Sequence, residues 1–257
     1  MGGRGARSSL GAMAGGATLP PQADSNTQVD NTQVASAFSA TYNQFMAMSD
    51  DDKADFISSN IKGGVPDHLS DTSFQRFLYN SGLNEKPDVV SDATLDTMTG
   101  TEIFRTVNNV YNSKSDLSYT APQIAKQVMA GRDTRVSDDG GSVYGRGIYF
   151  ADSYSSSASY GNTRGNLQKT AVMRGKLNNN AKVINYYTAS QGVSNEIASG
   201  SKLGKALKRC DSDSRVSIYA MSKGYNVISS GHGYMNVLNR NAITMSSDVK
   251  PKGSSWN

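Results

Sequence analysis

The sequence predicts an α+β fold. Apolar residues at helical spacing crowd the stretch from about residue 34 to 82, short alternating runs follow from about residue 101, and few helices stand between those runs. A doubly wound parallel sheet would need a helix between nearly every pair of strands. At 257 residues the chain has room for one large domain or two small ones with a buried core. Hydrophobic residues make up 37% and glycine fills 25 positions, close to ordinary globular usage, which excludes a wholly disordered chain. No run approaches the ~18 uncharged apolar residues of a bilayer-spanning helix, so no membrane partner is expected. The lone Cys210 excludes an internal disulfide and a multi-cysteine zinc site, and His68 and His232 leave little for metal chemistry. A net charge of +4, from 26 basic and 22 acidic side chains, is compatible with a phosphorylated ligand or a nucleic acid and demands neither.

Residues 1–33 read as a disordered tail rich in Gly, Ala, Ser and Pro. Arg4 and Arg7 could open a secretory signal, but residues 10–19 are mostly Gly and Ala, too weak for its apolar stretch. A helical region spans 34–99. Val34, Phe38, Tyr42, Phe45 and Met48 mark one helix face. Ser49, with Asp52 three residues on, caps a second helix containing Phe56 and Ile57. The run Asp50, Asp51, Asp52 suits that helix's first turn, where the dipole favours negative charge, better than a metal site. Phe74, Phe77 and Leu78 predict a third helix, stopped by Gly82.

Residues 100–257 form the mixed region. Strands are expected at 103–107, 147–151, 171–177, 183–186, 225–229, 234–238 and 242–245, with a turn at 230–233. Helices are expected at 121–130, capped by Thr120 with Pro122 in its first turn, at a Ser-rich turn running to Tyr160, at 201–210 and at 215–221. An Asp- and Gly-rich loop covers 137–142, and the stretch QGVSNEIASG (191–200) reads as loop-like.

Chemistry concentrates in YGRGIYFADSYSSSASYG, residues 144–161. Gly145 and Gly147 allow close backbone approach by a ligand. Ile148 and Phe150 share one strand face and Tyr149 takes the other. Ser157 and Tyr160, three apart, share one side of a helical turn. A hydroxyl beside an aromatic face suits a flat ring bearing a carboxamide, such as nicotinamide; a glycine turn followed by a surface Ser/Tyr helix is the plainer alternative.

This segment resembles the Tyr motif of the poly(ADP-ribose) polymerase and diphtheria-toxin-like ADP-ribosyltransferases, G-x-G-I-Y-F-A-D followed by S-A-x-Y. Gly145, Gly147, Ile148, Tyr149, Phe150, Ala151, Asp152, Ser157, Ala158 and Tyr160 match it. The resemblance implies a split β-sheet core with NAD as substrate, Ser157 contacting the nicotinamide amide and Tyr160 stacking on the ring. Gly147, Tyr149 and Thr106 join the implied NAD-binding set. EIFRTV (102–107) resembles the superfamily's first strand. Phe104-Arg105-Thr106 is similar to the arginine class there, which implies that Arg105 binds the NAD diphosphate or ribose, where guanidinium geometry suits phosphate oxygens. GYMNVLNRNAI (233–243) resembles the final hairpin of phage-encoded members. The likeness covers about residues 100–246, and tail, helical region and transferase fold together look most like bacteriophage proteins.

One part of the pattern departs. Anchored on Asn239-Arg240, the family's catalytic glutamate falls at Tyr234, and the flanking Gly233 and Met235 supply no acid. The carboxylate matters because losing nicotinamide leaves a positively charged, oxocarbenium-like ribose. The sequence holds three glutamates. Glu85 lies in the helical region, Glu102 has strand parity opposite to Arg105, and Glu196 could swing in. Asp152 is read as a cap of the following helix and His232 as a solvated turn residue. The resemblance therefore implies a mono-ADP-ribosyltransferase using NAD, with Arg105, Tyr234 and Glu196 as candidate catalytic residues, modifying a host protein or, as an alternative target, a nucleic acid, in the host cytoplasm or from a virion. Poly-ADP-ribose synthesis is not expected. The other open class is a degenerate transferase fold that binds NAD, ADP-ribose or a protein. Lys202, Lys205, Lys208 and Arg209 read as a solvated helix face, or as a landing strip for an acidic target. Cys210 reads as a small buried residue.

Overall fold

The computed structural model describes residues 41–66, 71–108, 110–112, 117–130, 143–160, 170–251 and 253. The expected helix face at Val34 and Phe38, the 137–142 loop and His68 lie outside them. In chain order the elements are α1 (Tyr42–Ala47), α2 (Asp50–Asn60), α3 (Ser73–Ser81), β1 (Asp88–Val90), α4 (Asp92–Thr97), β2 (Glu102–Asn108), β3 (Val110–Asn112), β4 (Leu117–Tyr119), α5 (Ala121–Met129), β5 (Ile148–Ala151), α6 (Tyr154–Tyr160), β6 (Thr170–Leu177), β7 (Val183–Asn185), α7 (Tyr186–Ser199), α8 (Lys202–Lys208), α9 (Ser212–Ser222), β8 (Val227–Ser229), β9 (Tyr234–Val237) and β10 (Ile243–Pro251).

Local chemistry sets many of these boundaries. Ser49 caps α2, accepting from the Asp52 N–H, and all three acids of the run fall in its first turn. Thr120 and Gln123 form a capping box on α5. Gly82 ends α3 in the left-handed region at φ 73°. The observed elements differ from the sequence reading in several places. Residues 191–200 are not a loop but most of α7, which buries Ala189 and Val193 and ends at the left-handed Gly200. Their polar and small side chains hide the helical period. α9 starts at Ser212, capped by Asp211, earlier than its apolar residues suggest. β1, α4, β3 and β4 were not expected, each being too short for a periodic signal.

Eight strands form one mixed sheet in the order β1-β10-β6-β2-β5-β9-β8-β7, and β3 pairs with β4 apart from it. β1–β10 and β7–β8 are parallel and the other ladders antiparallel. β2 pairs with β6 along its whole length but meets β5 through one register pair, Phe104 with Ala151. The sheet is thus two four-stranded halves joined at one rung.

Each face of the sheet buries its own core. Ile124, Ala125 and Val128 of α5 lie against Ile103, Val107, Phe150, Met173 and Val237. On the other side α1–α3 and α7–α9 share a cluster that includes Ile184 and Ile228. Val227 and Ile228 are neighbours in β8 yet belong to different clusters, as the alternation of a strand requires. Phe45, Phe56 and Phe77 meet at centroid distances of 5.5, 5.7 and 6.2 Å, tying α1, α2 and α3 together. Cys210 is buried in this cluster, and burial pushes its thiol up to about 11. Among the described residues no helix is long and apolar enough to cross a membrane.

Candidate functional site

Part of the set singled out by sequence lies where β2 and β5 diverge. Phe104, Ala151 and Tyr234 form one row across β2, β5 and β9 by register. Beyond Phe104, β2 leaves β5, and two side chains bridge the opening. The Arg105 guanidinium donates from Nη1 to the Tyr149 carbonyl oxygen at 2.8 Å. On the opposite face of β2, the Thr106 hydroxyl lies 3.0 Å from that of Ser157 on α6, with either able to donate. Ser157 is 3% exposed and Thr106 half-buried.

α6 is held over this opening by local chemistry. Its cap is Ser153, whose hydroxyl accepts from the Ser156 N–H at 3.2 Å while its carbonyl accepts from Ser157 N–H at 3.1 Å. The sequence reading gave that role to Asp152; the serine one place on takes it instead. Tyr154 packs edge-on to Phe104 with centroids 6.2 Å apart, which sets Ser157, one turn later, above Thr106. Tyr160 is the last residue of α6, and its side chain lies outside the described set.

The glycine-containing loop before β5 is locked to the chain itself. Tyr149 accepts from the Tyr144 N–H at 2.9 Å and donates to the Gly145 carbonyl at 2.7 Å. Burial, reinforced by the Asp213 charge, raises the Tyr149 hydroxyl well above the ordinary phenol value. Opposite Tyr149 in the ladder, buried Asn236 donates to the carbonyls of Tyr144 and Arg146 at 3.0 and 3.3 Å. Ser217 of α9 donates to the same Arg146 carbonyl at 2.6 Å, and Arg146 pairs with Asp213 at 3.5 Å. A Cβ on Gly147 would stand 2.0 Å from Asn236 Oδ1, and one on Gly145, at φ +88°, would stand 2.7 Å from the Ser217 hydroxyl. The close approach that the sequence assigned to a ligand is made here by β9 and α9.

Arg105, the Tyr149 carbonyl, Thr106 and Ser157 thus meet where β2 and β5 diverge, with Tyr234 on β9 one strand beyond β5, whereas Gly147 is packed against Asn236 and Val237 of β9. Tyr234 is half-buried and donates its N–H to the Ser230 hydroxyl at 3.2 Å. Glu196 is not among them. It sits on α7 in the helical layer, where Ser201 donates to Oε2 at 2.6 Å and Lys223 contacts Oε1 at 3.0 Å. The Ser201 bond, with Lys223 behind it, holds its carboxyl below the ordinary value. Lys202 of the basic run faces Asp51 and Asp55 at 3.4 and 3.6 Å. A separate cleft of about 430 Å³ between α5 and β10, lined by Lys126, Met129, Val249 and Lys250 among others, touches none of the motif residues.

Sequence reasoning missed Asn236 and Ser217. Their importance comes from register and from helix packing, and neither leaves a local signal. No protein-family model, curated protein or solved structure matches the chain.

Proposed function

We propose that the chain is an NAD-dependent mono-ADP-ribosyltransferase that modifies a host macromolecule, with protein the favoured target and a bacteriophage the favoured source. The observation that carries this reading is the Thr106–Ser157 hydroxyl pair at the divergence of β2 and β5, with Arg105 on the same strand. Two hydroxyls that share one hydrogen bond keep one further O–H donor and free lone pairs. A carboxamide, with its C=O acceptor and NH₂ donor, complements that set. The guanidinium of Arg105 is the group to meet the diphosphate, by exchanging its bond to the Tyr149 carbonyl for charge-assisted ones to phosphate oxygens. Seating both ends of the dinucleotide fixes the ribose between them and exposes its C1′ to an incoming nucleophile. The chemistry the site must supply is stabilisation of positive charge at that carbon.

A second reading, a transferase-like fold that only binds NAD or ADP-ribose, is favoured by one observation. Tyr234 stands where the resemblance puts a catalytic glutamate, and Glu196 is engaged elsewhere. One experiment separates the two. The chain is incubated with labelled NAD and host lysate, beside Arg105→Ala. Label transfer that is lost in the variant supports the enzyme with Arg105 in its NAD site. Undiminished transfer removes Arg105 from the mechanism, and no transfer by the parent chain moves the assignment to the binding module.

A further inference from the structure

We propose that a ridge of tyrosines at the start of α7 is the surface on which an acceptor protein docks. The inference rests on the transferase reading above and names the partner of that same site. Three observations carry it. First, the ridge is tied to the strand that borders the opening. Ala151 and Phe104 are register partners, so Tyr149 and Thr106, each two places along, turn their side chains to the same sheet face. On that face the Tyr149 phenol accepts from the Tyr144 N–H at 2.9 Å. The Tyr144 ring meets Tyr186 edge-on with centroids 5.4 Å apart, and Tyr186 meets Tyr187 at 5.6 Å. Second, the ridge is rooted at one place and bare at another. Tyr186 packs against the helical core, whereas Tyr187 and Val143 are each 66% exposed. Tyrosine supplies large contact area at a low cost in conformational entropy. Third, the surface that continues from Tyr187 lacks charge. Tyr187, Thr188, Gln191, Ser194 and Asn195 are exposed and share one face of α7. The single charged residue of that helix, Glu196, is turned to Ser201 and Lys223. Aromatic rings with few charges are the composition of an interface centre.

Charge also selects the class of partner. A nucleic acid is held by cations set along its phosphates. The α7 stripe carries none, and Arg146, beside Tyr144 in the chain, is paired with Asp213 at 3.5 Å. The partner that fits is a protein whose contact patch is uncharged, with apolar or amide side chains to lie on the rings.

The test uses the full chain with Tyr187→Ser and, separately, Gln191→Glu, which sets a charge in the stripe. Both positions are exposed, a thermal melt checks folding, and either variant alone decides if the other does not fold. NAD binding is measured by calorimetry. Label transfer from NAD into host lysate is measured on gels, with and without nuclease. The expected result is unchanged NAD binding with transfer to protein slowed about tenfold, the effect of truncating one well-placed interface tyrosine. Transfer at the parent rate overturns the docking surface and leaves the transferase reading standing. Label that nuclease removes overturns it as well and assigns the partner to nucleic acid. Weakened NAD binding in the variants places these residues at the dinucleotide, which also overturns it. A parent chain that binds NAD without transferring label, or takes up no NAD, overturns the docking surface together with the enzyme reading.

Discussion

Removing the hydroxyl pair separates what it does for the fold from what it does for a ligand. Thr106→Val strips one partner and leaves the Ser157 hydroxyl, 3% exposed, without its bond. A buried polar group left unsatisfied costs about 1–3 kcal/mol. Ser157→Ala leaves the Thr106 hydroxyl instead, but that side chain is half-buried and reaches water, so the cost falls nearer ~1 kcal/mol. In the double variant neither group is stranded, and the combined loss is smaller than the sum by about 1 kcal/mol. Urea unfolding of the four proteins measures this coupling. Calorimetry with NAD then reads the second role: each lost hydrogen bond to a carboxamide, at ~1.4 kcal/mol, weakens binding about tenfold. Additive stability losses, with coupling under ~0.3 kcal/mol, would refute the pair as a bonded unit. Coupling in stability with NAD affinity untouched in the double variant would refute the pair as a nicotinamide seat.

Two other expectations concern the scaffold. Gly147→Ala places a Cβ 2.0 Å from Asn236 Oδ1 and 2.8 Å from the Val237 carbonyl, so the loop must lift off β9. A loss of about 3 kcal/mol is expected, the upper end for overpacking, and an unshifted denaturant midpoint would contradict it. Glu196→Gln removes the Lys223 ion pair and weakens the Ser201 bond, with a loss of about 1 kcal/mol at neutral pH. Because the folded-state value is depressed, the contribution of Glu196 is complete above its unfolded value of about 4.3 and vanishes as pH falls through the lower folded one. The difference between parent and variant should therefore close on acidification, and a constant difference down to pH ~2 would refute the cause given for the shift.

What the sequence showed well was whatever a few neighbouring residues decide. The Ser49 cap, the Thr120 cap and the Gly82 stop each need only one turn of chain. The strand holding Arg105 and the helix holding Ser157 were also legible, since alternation and a capped serine-rich turn act locally. The Thr106–Ser157 bond joins residues 51 apart, and only the fold makes it. α7 was hidden because Gln191, Gly192, Ser194 and Asn195 give no apolar rhythm. Its helix is fixed by packing against α8 and α9, with Gly204 of α8 set so close to the Glu196 carbonyl that a Cβ would be 2.0 Å away. The reading of Asp152 as a cap failed by one residue, since Ser153 competes for the same donors with a shorter reach.

The single rung between β2 and β5 makes the middle of this sheet a mechanical seam. A load that pulls the outer strands apart meets full ladders at β2–β6 and β5–β9, but at the centre, among the described residues, the hydrogen-bonded links are the Phe104–Ala151 rung, the Arg105 guanidinium and the Thr106–Ser157 bond to α6, backed by the apolar core on the α5 side. Those same groups border the opening. Anything lodged between the halves would therefore act as a rivet, and the protein's resistance to shear would report directly on what it holds.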